Sequence, residues 1–356
     1  MDNFKDFVIK DDILERYYGT EEKVVIPENI TKIDNNAFLA SSSVRTIEFP
    51  KNMKEIGTSV FFGCKNLVDV SLPEGVEKIG REAFISCSNL VNMEIPKTVL
   101  EIGPGAFDFC SSLEHVSLPS SVQILGKQTF NGCSSLREVD LPKNLSKIES
   151  WAFRGCGSLK ELELPKSLTE IGDKAFEGCD NLENLKIPAG IKSIGDNAFD
   201  GCSLKLDRDA LSWDKEIFKS LEKSKLCCIY APDISLKDIP PGKLRQAAVK
   251  GYLKGKYRGL FFEENLEGEY LDYINDHKEV RDFLYDKISS EDKNEREWHV
   301  RFLVEHKVIP LDEFNQVMDV ILQIGDPALT AMVMNYKEVS FSSDEVYEFK
   351  DDLFEL

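Results

Sequence analysis

Proline recurs every 23 residues through the first half of this chain, at Pro27, Pro50, Pro73, Pro96, Pro119, Pro142, Pro165 and Pro188. A short fixed period marks a solenoid: one copy cannot bury its apolar face alone, and stacked copies share a continuous core. Other residues keep the same register. Phe38, Phe61, Phe84, Phe107, Phe130, Phe153, Phe176 and Phe199 form one ladder. Cys64, Cys87, Cys110, Cys133, Cys156, Cys179 and Cys202 form a second, with Ser41 in the first copy. Ile33, Ile56, Ile79, Ile102, Leu125, Ile148, Ile171 and Ile194 form a third, most of them followed by Gly.

Within one copy, Leu67 to Leu72 alternates apolar and polar residues, the signal of a strand. Leu67, Val70 and Leu72 are expected to point inward, and the following Pro ends the strand because it cannot donate to a ladder. A second extended piece, Val76 to Ile79, is expected to turn at Gly80 through a positive φ. The ring of Phe84 then fills the space a longer helix would cover. Phe7 to Leu14 reads as a hairpin with an Asp11-Asp12 turn, a cap for the open end of the stack.

The unit C-x-x-L-x-x-V-x-L-P-x-x-V-x-x-I-G-x-x-A-F-x-G, carried by Cys110 to Gly132 with Leu125 and Thr129 at its Ile and Ala positions, resembles the BspA-like leucine-rich repeats. The resemblance covers about residues 20–203, with Glu149, Ser41 and Val60 as its departures from the pattern. It implies a curved solenoid with a parallel sheet on its concave face and a role in binding, often adhesion at cell surfaces. The expected fold class is α+β: about eight repeats followed by an all-α domain. The expected divisions are 1–19 for the cap, 20–203 for the solenoid and 204–356 for the helical domain.

The formal charge of −19 is spread over both halves, which favours solubility and argues against non-specific nucleic-acid binding. The start of the chain lacks an apolar signal region, and no stretch reaches the ~18 apolar residues of a membrane span. The expectation is a cytoplasmic protein, or a cell-surface one if a leader precedes Met1. Seven of the nine Cys sit at one ladder position, where equivalent thiols have no preferred pairing. They read as reduced core residues, as do Cys227 and Cys228.

From Asp207 the periodicity turns helical. Leu211, Ile217, Phe218 and Leu221 suit one amphipathic helix capped by Asp207 or Asp209. Further helices are expected over 242–254, 266–276, 278–289, 293–306, 311–324, 327–337 and 343–354. The hairpin around Gly325-Asp326-Pro327 faintly resembles ankyrin-type pairs, without their T-P-L-H signature.

The main candidate site is the outer face of the strands. Its side chains run Thr46 and Glu48, Asp69 and Ser71, Asn92 and Glu94, His115 and Ser117, Glu138 and Asp140, Glu161 and Glu163, then Asn184 and Lys186. Like charges on adjacent strands repel, so stability alone would not choose this strip. It reads either as a docking strip for a basic protein partner or as a solvated face of an acidic protein. The second candidate is an apolar lateral row, Leu39, Phe62 and Ile85, which turns polar from Asp108 onward, with Phe109 beside it and Trp151 at a nearby slot. Lys243 to Arg258 carries six basic residues around Tyr252 and Tyr257, and reads as a solvated or intramolecular face rather than a nucleic-acid surface. His299 and His306 lie too far apart along one helix to share a metal.

No G-x-S-x-G, P-loop or H-E-x-x-H motif is present. The expected function is therefore a non-enzymatic protein-interaction scaffold, without cofactor or metal and of undetermined oligomeric state. The alternatives are surface adhesion, or a nucleic-acid or enzymatic module in the helical part.

Overall fold

A computed structural model describes residues 5–183, 185–257 and 264–340 of the chain. The expected helix over 343–354, the strip position Asn184 and the basic Arg258 lie outside these residues. The chain divides into two compact units, Met1–Ala231 with Pro240–Ala247, and Pro232–Ile239 with Ala248–Leu356.

The first unit is a parallel-sheet solenoid of about nine turns. Each turn contributes a three-residue strand to one sheet and a two-residue strand to another. Lys23–Val25, Thr46–Glu48, Asp69–Ser71, Asn92–Glu94, His115–Ser117 and Glu138–Asp140 pair in parallel as the first sheet. Lys32–Ile33, Glu55–Ile56, Lys78–Ile79 and Glu101–Ile102 form the second, which resumes as a separate set from Ile124–Leu125 to Ser193–Ile194. The hairpin Phe7–Lys10 and Ile13–Tyr17 caps the second sheet, its strands antiparallel to each other and Ile13–Tyr17 parallel to Lys32–Ile33.

The ladders predicted from the period are the core. All eight ladder Phe are fully buried, and successive rings lie 5.1–5.6 Å apart from Phe38 to Phe199. Tyr17 of the cap extends the column at 4.9 Å from Phe38. Each ladder Cys is buried, and its S–H donates to the carbonyl of the Phe 26 residues before it, as in Cys64 to Phe38 at 3.1 Å. Burial pushes the Cys64 thiol up to about 12 and those of Cys87, Cys110 and Cys133 up as well, so these sulfurs stay protonated small hydrophobes.

The expected role of Gly80 needs correction. Gly80 has no positive φ; a Cβ there would fall 2.5 Å from the backbone of Gly57. Gly103 and Gly195 are equally tight, so this ladder is glycine because adjacent turns touch backbone to backbone. The positive φ values lie further on, at two positions per turn. One column holds Ser59, Glu82, Trp151 and Lys174; the other holds Ala40, Ser86 and Phe109, then Gly from Gly132 to Gly201. These turns let alternate amides bond the next turn, as Phe61 N does to Ala83 O at 2.8 Å and Gly63 N to Ile85 O at 2.9 Å.

The sheet continues past residue 203. Leu204 pairs with Leu185, so the strand follows Cys202 four residues sooner than in earlier turns. Cys228–Tyr230 adds a further parallel strand against Ser203–Lys205. Between them the single helix expected near Asp207 is two elements. Asp207 caps a 3-10 turn, Arg208–Ser212, and Asp214 caps α1 (Lys215–Lys223), which buries Ile217 and Leu221. Cys228 is buried as expected, but Cys227 is exposed, because it precedes the inward-alternating strand.

The second unit is helical. It contains α2 from Ala248 onward (Lys243–Tyr257 overall), α3 (Glu264–Asp276), α4 (Lys278–Ile288), α5 (Lys293–Glu305), α6 (Phe314–Ile324) and α7 (Pro327–Ser340). Helices α4 and α5 pair, α6 and α7 pair, and the pairs stack α4 on α6 and α5 on α7. Gly325, at φ 70°, ends α6, and Asp326 Oδ1 accepts from Ala328 N to start α7. A buried ion pair joins the two hairpins: Arg281 donates to both carboxylate oxygens of Glu313 at 2.9 and 2.7 Å, and Tyr285 donates to Glu313 at 2.7 Å.

Candidate binding groove on the long sheet

Every strip residue of the described chain is exposed, as the alternation predicts, and those from Thr46 to Asp140 lie on the outer face of the first sheet. The strip is not uniformly unpaired. Glu48 meets Lys23 at 2.5 Å, Asp69 accepts from Asn92 at 2.6 Å, Glu94 accepts from Ser71 at 2.5 Å, and His115 lies 3.4 Å from Asp140. Lys186 pairs with Asp207. In these turns an acid stands beside a neutral or basic neighbour one turn away.

The exception is a single junction. The 23-residue period sets Glu138 one turn before Glu161 and Asp140 one turn before Glu163, so both outward positions of two adjacent turns are acidic. Here the sheet opens. The first sheet ends at Glu138–Asp140, residues 161–163 form no strand, and pairing resumes only at Leu185–Lys186. Among the described residues the backbone of Glu161–Leu164 makes no hydrogen bond. The turns themselves stay stacked, since Phe130 and Phe153 remain 5.5 Å apart and Ile148 still pairs with Ile171. Opposed like charges destabilise a strand pair, and this junction is where they coincide. The parting half-exposes Val139 and Leu162, whose counterparts Val70 and Val116 are buried.

The result is a groove of about 1190 Å³ whose lining includes Glu138, Asp140, Glu161 and Glu163, the half-exposed Val139 and Leu162, and Lys160, Lys166 and Lys186. Replacing Glu161 and Glu163 together with Gln is expected to let the ladder close. The gain is roughly 0.2–1 kcal/mol per relieved pair, read as a higher urea midpoint with slower amide exchange at 161–164. Unchanged exchange there would mean that carboxylate repulsion does not hold the sheet open.

The lateral row also falls where its register predicts. Leu39 is 51% and Phe62 39% exposed, Ile85 is half-buried, and Phe109 beside them is 51% exposed. The first three therefore do not sit beneath the cap. Phe109 is held against the next turn, where a Cβ on Gly132 would meet its ring at 2.6 Å. Beyond it the row becomes a polar ladder. Asn131 donates to buried Asp108 at 2.7 Å, and Arg154 donates to Glu177 at 2.5 Å. Burial raises the Asp108 carboxyl above its ordinary range, whereas the Arg154 hydrogen bond lowers that of Glu177.

Tyr252, Lys250 and His299 make packing and hydrogen-bond contacts within the helical unit, whereas Trp151 is 40% exposed. Tyr252 of the basic helix is buried against Tyr270 at 4.7 Å, and Lys250 lies over the Phe283 ring. His299 is buried, with Nδ1 2.7 Å from the Glu295 carbonyl. Sequence reading missed an alternating charge ladder on the second sheet, legible at the same period: Lys32 with Glu55, Lys78 with Glu101, and Lys147 with Glu170, at 3.1–3.3 Å. Among the described residues no group of three or more His, Cys, Asp or Glu is arranged to hold a metal. No helix among them is long and apolar enough to cross a membrane.

The family described as BspA type leucine rich repeat region matches residues 15–126 and 100–219, with six copies. Among solved structures, a leucine rich cell surface protein of Faecalibacterium prausnitzii is 26% identical, over 59% of this chain and 70% of its own, with a TM-score of 0.47. The leucine rich repeat protein of T. pallidum is 31% identical over 59% of this chain and 86% of its own, with a TM-score of 0.42. A leucine-rich repeat protein of Eubacterium ventriosum is 27% identical over 50% and 51%, also at 0.42. No curated protein matches.

Proposed function

The chain belongs to the BspA-type leucine-rich repeat family, and from that premise we propose that it is a non-enzymatic scaffold that binds a partner protein on the outer face of its long sheet. Repeat solenoids present extended regular surfaces suited to binding. The observation that carries the reading is the opened junction, where four carboxylates line a groove over half-exposed Val139 and Leu162. A surface that gathers like charge where stability would separate it is arranged for a ligand of opposite charge. The partner therefore presents a basic segment. Its capture weakens with salt, because the carboxylates face solvent.

The test is a crosslinking capture from the lysate of the source organism. The wild type is compared with a variant carrying Glu138→Lys, Asp140→Lys, Glu161→Lys and Glu163→Lys. A second variant, Leu39→Ser with Phe62→Ser, serves as the lateral control. A partner lost from the charge-reversed protein and kept by the lateral variant supports the groove. The opposite pattern assigns binding to the apolar row, the second reading, which the exposure of Leu39 and Phe62 favours.

A further inference from the structure

The N-terminal cap builds a zeroth turn of the stack on one side only. Ile13–Tyr17 supplies that turn's second-sheet strand, with Leu14 in register with Ile33, and Tyr17 supplies its ring, stacked 4.9 Å from Phe38. No described residue supplies a first-sheet strand at this level, so the first sheet begins at the edge Lys23–Val25. In later turns the first outward residue of a strand points its N–H back one turn, as Thr46 N does to Glu22 O at 3.1 Å. The second points its C=O the same way, as Glu48 O does in accepting from Ile26 N at 3.0 Å. One period earlier the equivalent residues are Lys23 and Val25, both exposed. Among the described residues nothing bonds the Lys23 N–H or the Val25 C=O. Such an edge is satisfied by water in the free protein and is a template for an added strand. We infer that an extended segment of a partner protein adds here, parallel to Lys23–Val25 and bonded to it through the backbone. The site is separate from the acidic groove, since Glu138 stands five 23-residue periods further on.

The occupant is a single strand, not a second copy of the chain. A second copy docked end to end would bring its own first turn to this level, where Leu14 and Tyr17 already stand. The neighbours set the chemistry of the segment. Its central inward residue lies beside buried Val24 and is apolar. Its outward residues lie beside Lys23, whose ammonium meets Glu48 at 2.5 Å, and beside Val25, which is 54% exposed. An acid beside Lys23 continues the alternation that Lys32 with Glu55 and Lys78 with Glu101 make on the second sheet. An apolar residue covers Val25, since like-natured side chains on neighbouring strands pack together. Exposed Glu21 and Glu22 precede the edge and Glu28 follows it, so the ends of the segment are basic.

The experiment uses the full chain and a fluorescein-labelled heptapeptide of lysine, valine, glutamate, three valines and lysine, in that order. Binding is read by anisotropy and by hydrogen exchange of the Lys23 and Val25 amides. A second peptide is N-methylated at its second and fourth valines, which keeps every side chain and removes the donors aimed at Lys23 O and Val25 O. The protein arms are wild type, Val25→Pro, and Glu161→Gln with Glu163→Gln. Proline is tolerated on an edge strand whose N–H faces outward, so Val25→Pro is expected to fold and to lose the edge. The expected result is saturable binding with slower exchange at Lys23 and Val25. Binding is at least tenfold weaker for the methylated peptide and for Val25→Pro, and within twofold of wild type for the groove variant. A methylated peptide that binds within twofold of the parent overturns strand addition, whatever Val25→Pro does. Binding lost in the groove variant and kept by Val25→Pro puts the peptide in the groove and overturns this site without touching the function proposed above. No saturable binding of the parent peptide overturns the inference. A wild-type dimer in sedimentation that Val25→Pro abolishes would give the edge to a second copy and overturn the lone strand.

Discussion

Replacing Phe130 with Ala is expected to destabilise the solenoid by about 3–5 kcal/mol, the usual cost of deleting a buried aromatic. Phe130 is fully buried near the middle of the column, with Phe107 and Phe153 each 5.5 Å away. Its removal leaves a cavity and ends two stacked contacts, each of which contributes about 0.5–1.5 kcal/mol beyond area burial. In a repeat protein each turn is held chiefly by its neighbours. The loss therefore separates the turns on either side, and the urea transition is expected to broaden or split as well as shift. Phe130→Leu keeps much of the volume and is expected to cost less. A loss below about 1 kcal/mol for Phe130→Ala would show that the ring column does not hold the turns together.

Arg281→Ala is expected to cost the helical unit a comparable amount, about 3–5 kcal/mol, because it strands a buried carboxylate. Glu313 is 3% exposed and accepts from Arg281 and Tyr285. Replacing both partners, Arg281→Met with Glu313→Leu, removes the uncompensated charge and is expected to recover most of the loss. Acid dependence follows from the same contacts. The Arg281 hydrogen bonds hold the Glu313 carboxyl below its ordinary value of 4.5. A carboxyl depressed on folding contributes stability that is fully present above the unfolded value and lost as pH falls through the folded one. The gap in melting temperature between wild type and Arg281→Ala should therefore be widest at neutral pH and shrink below about pH 4.5, as Glu313 takes up its proton. A gap independent of pH would place the cost of Arg281→Ala in lost packing instead.

The fold was largely legible because each turn repeats the same physical task. Phe, Cys and Ile return every 23 residues to one place in the stack, so periodicity reports burial without any homologue. The glycine ladder was legible as a constraint but not as to its kind. Positive φ and close backbone approach both select Gly, and only coordinates separate Gly80, which touches Gly57, from Gly132, which has a φ of 71°. The end of the solenoid was hidden because Leu204 keeps the look of the Leu67 position while pairing with Leu185, a position equivalent to Val70. Helix positions in the second unit followed from apolar spacing. The ion pair Arg281–Glu313 did not, since its members lie 32 residues apart with no period to relate them.

The acidic strip shows how far the candidate site could be read. Its members were named from alternation alone, but as an even run of charge. The 23-residue period sets Asp69 beside Asn92 and Ser71 beside Glu94, as they pair, and sets acid beside acid only at Glu138/Glu161 and Asp140/Glu163. What the sequence did not carry is the response of the backbone. Repulsion of this size could have been absorbed by side-chain rotation, and the parting of the ladder is visible only in the structure.

The most direct measurement places a photo-crosslinking amino acid at Val139, at Phe62 or at Leu100, one position at a time, in the full chain. Val139 lines the groove, Phe62 lies on the lateral row, and Leu100 is exposed just before the second-sheet strand Glu101–Ile102. After irradiation in lysate of the source organism, a discrete adduct is expected from position 139 and not from 62 or 100, and it should fade as salt rises. The same adduct from position 62 or 100, with none from 139, would contradict the groove as the binding surface.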